Sequence, residues 1–398
     1  MKLRQKPQDF QVEEITQAVP EPQGDYAFYR LDKTGWTTVD ALAVVRRRWR
    51  LRHQQLSYGG LKDRHAVTRQ YLTIFRGPPR DLTHAGFTLT YLGQRSTPYT
   101  SQAIVANRFT IVMRDMSWPV AEQARQLAET EVASLGVPNY FDDQRFGSRD
   151  ASADFVARRM IQADWEGALW LALAAPYAYD RARDKQLKQL LRTHWGQWTK
   201  LRNQLPASHA RSLVCYLCEH PDDYKGAVAR LRPELRGLYV AAYQSWLWNR
   251  LLAAWLEEHW PADALLWLQC KHGRWPAPRS VPIERQSQWY QGTLPLPSAR
   301  LKPCGDEWWW PLLERILQQE GLTLRQLKIP GLDRPFFARG ERHIAMQVRQ
   351  MHVSVAADEL QPGQAKLVLQ FELPRGCYAT MVVKWLMAGV STAETPGR

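Results

Sequence analysis

No stretch of the 398-residue chain approaches 18 uninterrupted apolar residues, which excludes helical membrane spans. The opening Met1-Lys2-Leu3-Arg4-Gln5-Lys6-Pro7 lacks the apolar core of a signal peptide, so the expected location is the cytoplasm. Cysteine is scarce. Five residues, Cys215, Cys218, Cys270, Cys304 and Cys377, form an odd and sparse set that argues against a secreted disulfide framework. The lone C-x-x-C, Cys215-Tyr216-Leu217-Cys218, has no second pair at zinc-site spacing and reads as buried helix cysteines, so no metal is expected. Neither a G-x-G-x-x-G nor a G-x-x-x-x-G-K-[ST] string occurs, which removes the usual phosphate-cradling loops. Acids are also in deficit: 53 Lys and Arg against 39 Asp and Glu leave +14, which makes a polyanion the leading partner. The 45% hydrophobic content is too high for disorder. A globular chain of this length is expected to form two domains.

The first 115 residues alternate short strands with helix. Phe10, Val12 and Ile15 lie near strand spacing, and Tyr26 to Leu31 reads as a second strand. Thr37 or Thr38 could cap a helix through Arg50, with Ala41, Leu42, Val44, Val45 and Trp49 inward. Val67 to Phe75 and Asn107 to Met113 again have strand texture. From about Ala153, Trp, Leu, Ala and Arg dominate at helical spacing through Trp260, followed by a Pro-rich stretch from Pro276 to Pro311 and a helix at Leu312 to Gln319. Fourteen of the 18 tryptophans fall between 155 and 338, so this block has its own core. After Gly340 strands return at Ile344 to Val353 and Ala365 to Phe371, then a helix from Tyr378 to Met387 and a frayed end from Ser391 to Arg398. The expectation is a mixed α and β fold in which residues 1–154 and 339–398 form one domain and 155–338 an inserted, largely helical one.

Two strings could carry chemistry. Tyr58-Gly59-Gly60-Leu61-Lys62-Asp63-Arg64-His65 sets two glycines and the run Lys62 to His65 between strand-like runs, so Asp63 should sit in a tight loop on a rigid sheet. The flanking cations Lys62 and Arg64 would keep its carboxylate ionised, which suits a nucleophile or general base. The plainer alternative is a turn-capping Asp63 between surface charges. Gly136-Val137-Pro138-Asn139-Tyr140-Phe141-Asp142-Asp143-Gln144-Arg145-Phe146-Gly147 mixes amides, aromatics, acid and base in the way that stacks an unpaired base; a packed loop is equally consistent with it. Arg46 to His53 and Arg181 to Arg202 are basic runs that could face phosphate or solvent, and Trp308 to Trp310 reads more readily as packing than as a base platform.

The Gly60-Leu61-Lys62-Asp63-Arg64-x-Ala66-x-Thr68-x-Gln70 string resembles the central motif of the TruD family of pseudouridine synthases. Further matches follow in the family's order: Phe10-x-Val12-x-Glu14, Leu31-x-Lys33-x-x-x-Thr37, Asn107-x-Phe109-x-Ile111, Pro138-Asn139-Tyr140-Phe141-x-x-Gln144-Arg145-Phe146-Gly147, Tyr243-Gln244-Ser245-x-Leu247-x-Asn249 and Phe371-x-Leu373-Pro374-x-Gly376-x-Tyr378-Ala379-Thr380. The resemblance covers nearly the whole chain. It implies a pseudouridine synthase domain with a mainly antiparallel sheet, interrupted by the family's insertion domain, with RNA in the cleft between.

The resemblance also implies that Asp63 is catalytic, that Phe141 stacks on the target base with Asn139 shaping the same pocket, and that Lys33 is the basic residue beside the carboxylate. Glu14 matches a motif acid, and Lys62 and Arg64 flank Asp63 as substrate contacts. Tyr243 to Asn249 reads as helix packing, and Gly376 to Thr380 as the turn into the last helix. Asp142 stands where the family usually has Gly, Ala106 for a common Gly and Cys377 for a common Ser. The implied reaction is isomerisation of uridine, most specifically uridine 13 in the D arm of tRNA. It needs no cofactor, and a monomer is the family expectation. The alternatives are an RNA-binding protein or RNA chaperone without turnover, and a synthase acting on another RNA.

Overall fold

Alternation builds the first long strand, and a carboxylate interrupts it. In Phe10–Thr16 the buried face carries Phe10, Val12 and then Glu14, which is 1% exposed, while Ile15 is only half-buried. A charge on the core face calls for a partner within the fold.

The computed structural model describes residues 1–147, 154–177, 180, 182–332 and 334–393. Arg181 and the tail from 394 onward lie outside the described residues. The chain divides into two units: Met1–Asn139 with Arg279–Pro282 and Ala345–Arg398, and Tyr140–Pro278 with Ile283–Ile344. The sequence texture changes at 155 and 338, but the division lies at 140 and 344. The reason is that Tyr140, Phe141 and Phe146 already pack among the second unit's aromatic rings.

The first unit holds a ten-stranded sheet of β1 (Lys2–Leu3), β2 (Phe10–Thr16), β3 (Tyr26–Thr34), β4 (Leu56–Tyr58), β5 (Val67–Phe75), β6 (Leu82–His84), β7 (Phe87–Arg95), β8 (Ile104–Met116), β9 (Arg349–Ala357) and β10 (Ala365–Pro374). Its order is β9-β10-β8-β2-β5-β3-β7-β6, with β1 on β8 and β4 on β5. Every pairing is antiparallel except β2 with β5. With helices on the sheet, this is an α+β fold. The registers align Val12 with Thr68 and Phe109, and Thr68 with Lys33, so residues far apart in sequence share one row at the end where the loop 59–66 enters β5.

Helix α1 (Thr38–Trp49) is capped as expected, the Thr37 hydroxyl accepting from Asp40 N at 3.0 Å. Ala41, Leu42, Val44 and Val45 pack with Tyr29, Leu31, Leu72 and Ile74 of the sheet, and Trp49 lies against this core. Its C-terminal basic run leaves Arg47, Arg48, Arg50 and Arg52 exposed. Helices α2 (Trp118–Leu127) and α3 (Ala379–Ala393) also belong to this unit. Near the end of β8, Arg114 is 4% exposed and engages three carboxylates: Nε and Nη2 donate to Asp9 Oδ1 at 3.0 and 2.9 Å, Nη1 to Asp358 Oδ1 at 2.8 Å and Nη2 to Glu359 Oε1 at 2.9 Å.

The second unit is largely helical around the 27-residue helix Pro233–His259, with Pro233 at its first turn and Tyr243, Leu247, Trp248, Leu251, Leu252 and Trp255 buried. One feature differs from the sequence reading. Leu265–Cys270 and Gly273–Pro278 form an antiparallel hairpin, although Pro276 and Pro278 weaken any strand signal there. Cys215 and Cys218 lie half-buried in the helix His209–Glu219, and none of the five cysteines is joined in a disulfide. Among the described residues, no helix is long and apolar enough to cross a membrane.

Candidate active site

Asp63 sits in the loop between β4 and β5, and buried side chains pin the backbone on both sides of it. Thr38 Oγ1 accepts from Lys62 N at 3.0 Å and donates to Gln70 Oε1 at 2.7 Å; Gln70 Nε2 in turn donates to Gly60 O at 3.2 Å. Thr38 and Gln70 are both buried. Lys33, 2% exposed, donates through Nζ to Trp36 O and Asp63 O at 2.8 Å each and to Lys62 O at 3.3 Å. Its ammonium therefore holds the peptide carbonyls of the loop.

A cation on the Asp63 carboxylate comes from the opening segment. Arg4 Nη2 lies 3.2 Å from Asp63 Oδ2, and its guanidinium carbon is 4.0 Å from the centroid of the Phe10 ring. Arg4 has φ 58°, a left-handed conformation costing a non-glycine residue roughly 1 kcal/mol, and this bend follows directly on β1. Lys33 is near enough for its ammonium and the Asp63 carboxylate to interact electrostatically, as the sequence implies, while its hydrogen bonds go to the loop carbonyls. Lys62 instead turns inward, its Nζ 2.8 Å from Glu14 Oε2 and 3.0 Å from Asn107 Oδ1. Arg64 is exposed and donates from Nε to Gly35 O at 3.3 Å.

Glu14 thereby finds the partner its burial requires. Its other oxygen accepts from the Tyr99 hydroxyl at 2.6 Å and Tyr71 N at 3.3 Å. Burial, reinforced by the Glu14 charge, pushes the Tyr99 phenol well above its usual range, so it stays a donor. Glu14, Lys33, Lys62, Asp63 and Arg64 thus come together at one end of the sheet, joined by Arg4, Thr38, Tyr99 and Asn107. Nothing local distinguishes Arg4 from the other basic residues of the opening segment. Thr38, Gln70 and Asn107 had a legible signal as polar residues placed on strand and helix faces that bury.

Burial lowers the Lys33 ammonium to about 8; nearby Asp63 opposes the shift and Lys62 adds to it. We expect kcat/KM to fall as pH rises through about 8, because the neutral amine loses a donor and a charge beside Asp63. Stability runs the other way. Between that value and the unfolded lysine value near 10.4 the unfolded chain binds more protons, so the unfolding free energy rises with pH there. A pH–rate profile of Lys33→Arg, whose limb should move upward, checks the assignment; an unmoved limb refutes it.

Asn139 is 4% exposed and ends the first unit. In the second unit, Phe141 is fixed by its backbone. Its N donates to Asn249 Oδ1 at 2.9 Å and its O accepts from Asn249 Nδ2 at 2.8 Å. Trp248 meets the Phe141 ring edge-on at 5.6 Å, while the Arg342 guanidinium carbon lies 4.1 Å from its centroid and that of Arg145 5.7 Å. The Tyr243 to Asn249 segment does more than pack. Gln244 bonds Pro297 O and Ala338 O, and Ser245 Oγ accepts from Arg145 Nε at 3.1 Å. Asp142 has φ −84°, ψ 166°, so the glycine common in the resembling sequences is not required there. Among the described residues, no group of three or more His, Cys, Asp and Glu is placed to hold a metal ion.

The family model of tRNA pseudouridine synthase D (TruD) matches residues 1–386. The chain belongs to the TruD family. It is therefore an enzyme of the tRNA pseudouridine synthase class. Relatives include the probable tRNA pseudouridine synthase D 2 of Methanocaldococcus jannaschii, 29% identical over 99% of this chain and 93% of its own length. The tRNA pseudouridine synthase D of Leptospira interrogans is 28% identical over 97% and 95%. The crystal structure of the putative TruD protein of Methanosarcina mazei superposes with a TM-score of 0.71 at 24% identity, covering 98% of this chain and 93% of that one, which shows the shared fold.

Proposed function

We propose that this TruD protein converts uridine 13 in the D arm of tRNA to pseudouridine, with Asp63 as the nucleophile. The observation that carries the proposal is the Asp63 carboxylate itself. It is held by the Arg4 guanidinium on a loop whose neighbouring peptides are tied to buried Lys33, Thr38 and Gln70. Rigid placement of an ionised carboxylate is what attack on a nucleotide requires. The reaction breaks the bond from the ribose C1′ to ring N1 and forms one from C1′ to C5. N1 gains a hydrogen and C5 loses one, so atoms balance and no redox change occurs.

The target base leaves its stack for this chemistry, and Phe141 offers an aromatic face, its backbone clamped by Asn249. Phe141→Ala should lower kcat/KM roughly 5- to 150-fold, the equivalent of about 1–3 kcal/mol of base stacking, with Phe141→Tyr retaining most activity. An alanine variant within a factor of about two of the parent would remove stacking from the account. Asn139, Glu14, Lys62 and Arg64 are assigned to substrate binding. The site choice is tested by mapping pseudouridine in tRNA from cells lacking the protein: loss at position 13 supports it, and loss confined to other positions or other RNAs refutes it.

A further inference from the structure

The second unit contains a cavity of about 400 Å³ that takes no part in the chemistry above. Its walls come from the strand Thr293–Pro295, its partner strand Glu341–His343 and the Pro-rich segment between them. Three exposed cations line it: Arg300, Lys302 and Arg339. Among the described residues none of the three is paired to a carboxylate. Two acids also line the cavity, but both are engaged. Glu307 accepts from the backbone N of Cys304 and of Gly305 at 3.0 Å each, and Glu341 Oε2 accepts from Thr293 Oγ1 at 2.6 Å. Trp309 adds an aromatic wall, and the Arg300 guanidinium carbon sits 4.4 Å from the centroid of the exposed Phe336 ring. The tryptophan triplet is thus divided: Trp308 packs on Trp255 at 5.6 Å, whereas Trp309 faces the cavity.

We propose that this cavity binds one phosphorylated nucleotide, its phosphate on Arg300, Lys302 and Arg339 and its base or sugar against Trp309. Guanidinium and ammonium groups not paired to a carboxylate are the donors a phosphate needs, and an aromatic wall suits a nucleobase. The volume lies within the range of small-ligand pockets. Such a nucleotide could be part of the RNA chain, in which case the inference rests on the tRNA reading above, or a free mononucleotide.

The test uses the full-length protein and the variants Lys302→Glu, Arg339→Glu and, as graded controls, Lys302→Gln and Arg339→Gln. All four change exposed side chains. Binding of tRNA is followed by filter retention between about 50 and 200 mM salt, and uridine 5′-monophosphate is titrated by tryptophan fluorescence with Trp309→Phe as reference. For a nucleotide of the RNA, each Glu variant weakens tRNA binding about tenfold, each Gln variant by less, and the salt slope falls by about one for each lost contact. Unchanged tRNA affinity with lost mononucleotide binding identifies a free nucleotide as the ligand. Unchanged binding of both probes in both Glu variants overturns the site. If the parent protein forms no pseudouridine on tRNA, the catalytic reading fails on its own, and the mononucleotide titration still decides the cavity.

Discussion

The Asp63→Asn protein is expected to form pseudouridine at least about 10³-fold more slowly than the parent, the scale on which loss of a covalent nucleophile falls. Asn is nearly isosteric and its amide oxygen can still accept from Arg4. The loop is held through the backbone of Gly60, Lys62 and Asp63, none of which the substitution touches. Binding of tRNA should therefore survive while turnover is lost, and a Kd measured beside a single-turnover rate separates the two. A rate within about tenfold of the parent would remove Asp63 from the chemistry. Arg4→Ala tests the same pair from the cation's side. It should reduce turnover less than Asp63→Asn does, because Arg4 orients the carboxylate without itself reacting.

Arg114→Met is expected to cost about 3–5 kcal/mol of stability at neutral pH, the usual result of stripping one partner from a buried ion cluster. Arg114 joins the turn before β2, the strand β8 and the segment at Asp358, and Met would leave the carboxylates of Asp9 and Asp358 dry and uncompensated. Burial alone would raise the Asp358 carboxyl, but the backbone N–H groups of Leu360 and Asp115 and the Arg114 guanidinium hold it below its usual range. Its contribution is therefore present above the unfolded carboxylate value near 4 and is lost as pH falls through the lower folded value. Urea unfolding at neutral and acid pH checks both statements. A neutral-pH loss under about 1 kcal/mol would show that water or rearrangement satisfies the acids. Adding Asp9→Asn and Asp358→Asn to the Met variant should restore part of the stability, since the uncompensated charges are then gone.

Much of the first unit was legible. Thr37 capping α1, the inward Ala41, Leu42, Val44 and Val45, and the strands over Tyr26, Val67 and Ala365 follow from local periodicity and capping. The Leu265–Cys270 hairpin was not, since its second strand carries prolines at 276 and 278. The segment Tyr243 to Asn249 was legible as helix, but its spacing alone could not reveal that Asn249 spends both ends of its amide on Phe141.

The amino-acid sequence alone determined the mixed α and β content, the position of Asp63 in a glycine-rich loop between strands, and the basic character that suits RNA. Those properties depend on composition and on contacts within a few residues. Only the tertiary structure decided which cation meets that carboxylate. Strand pairing places β1, β2, β3 and the 59–66 loop at one end of the sheet, bringing Arg4 to Asp63, turning Lys62 to Glu14 and giving Lys33 the loop carbonyls. Such pairing depends on register between segments as far apart along the chain as Lys2 and Arg114, and no local pattern encodes it.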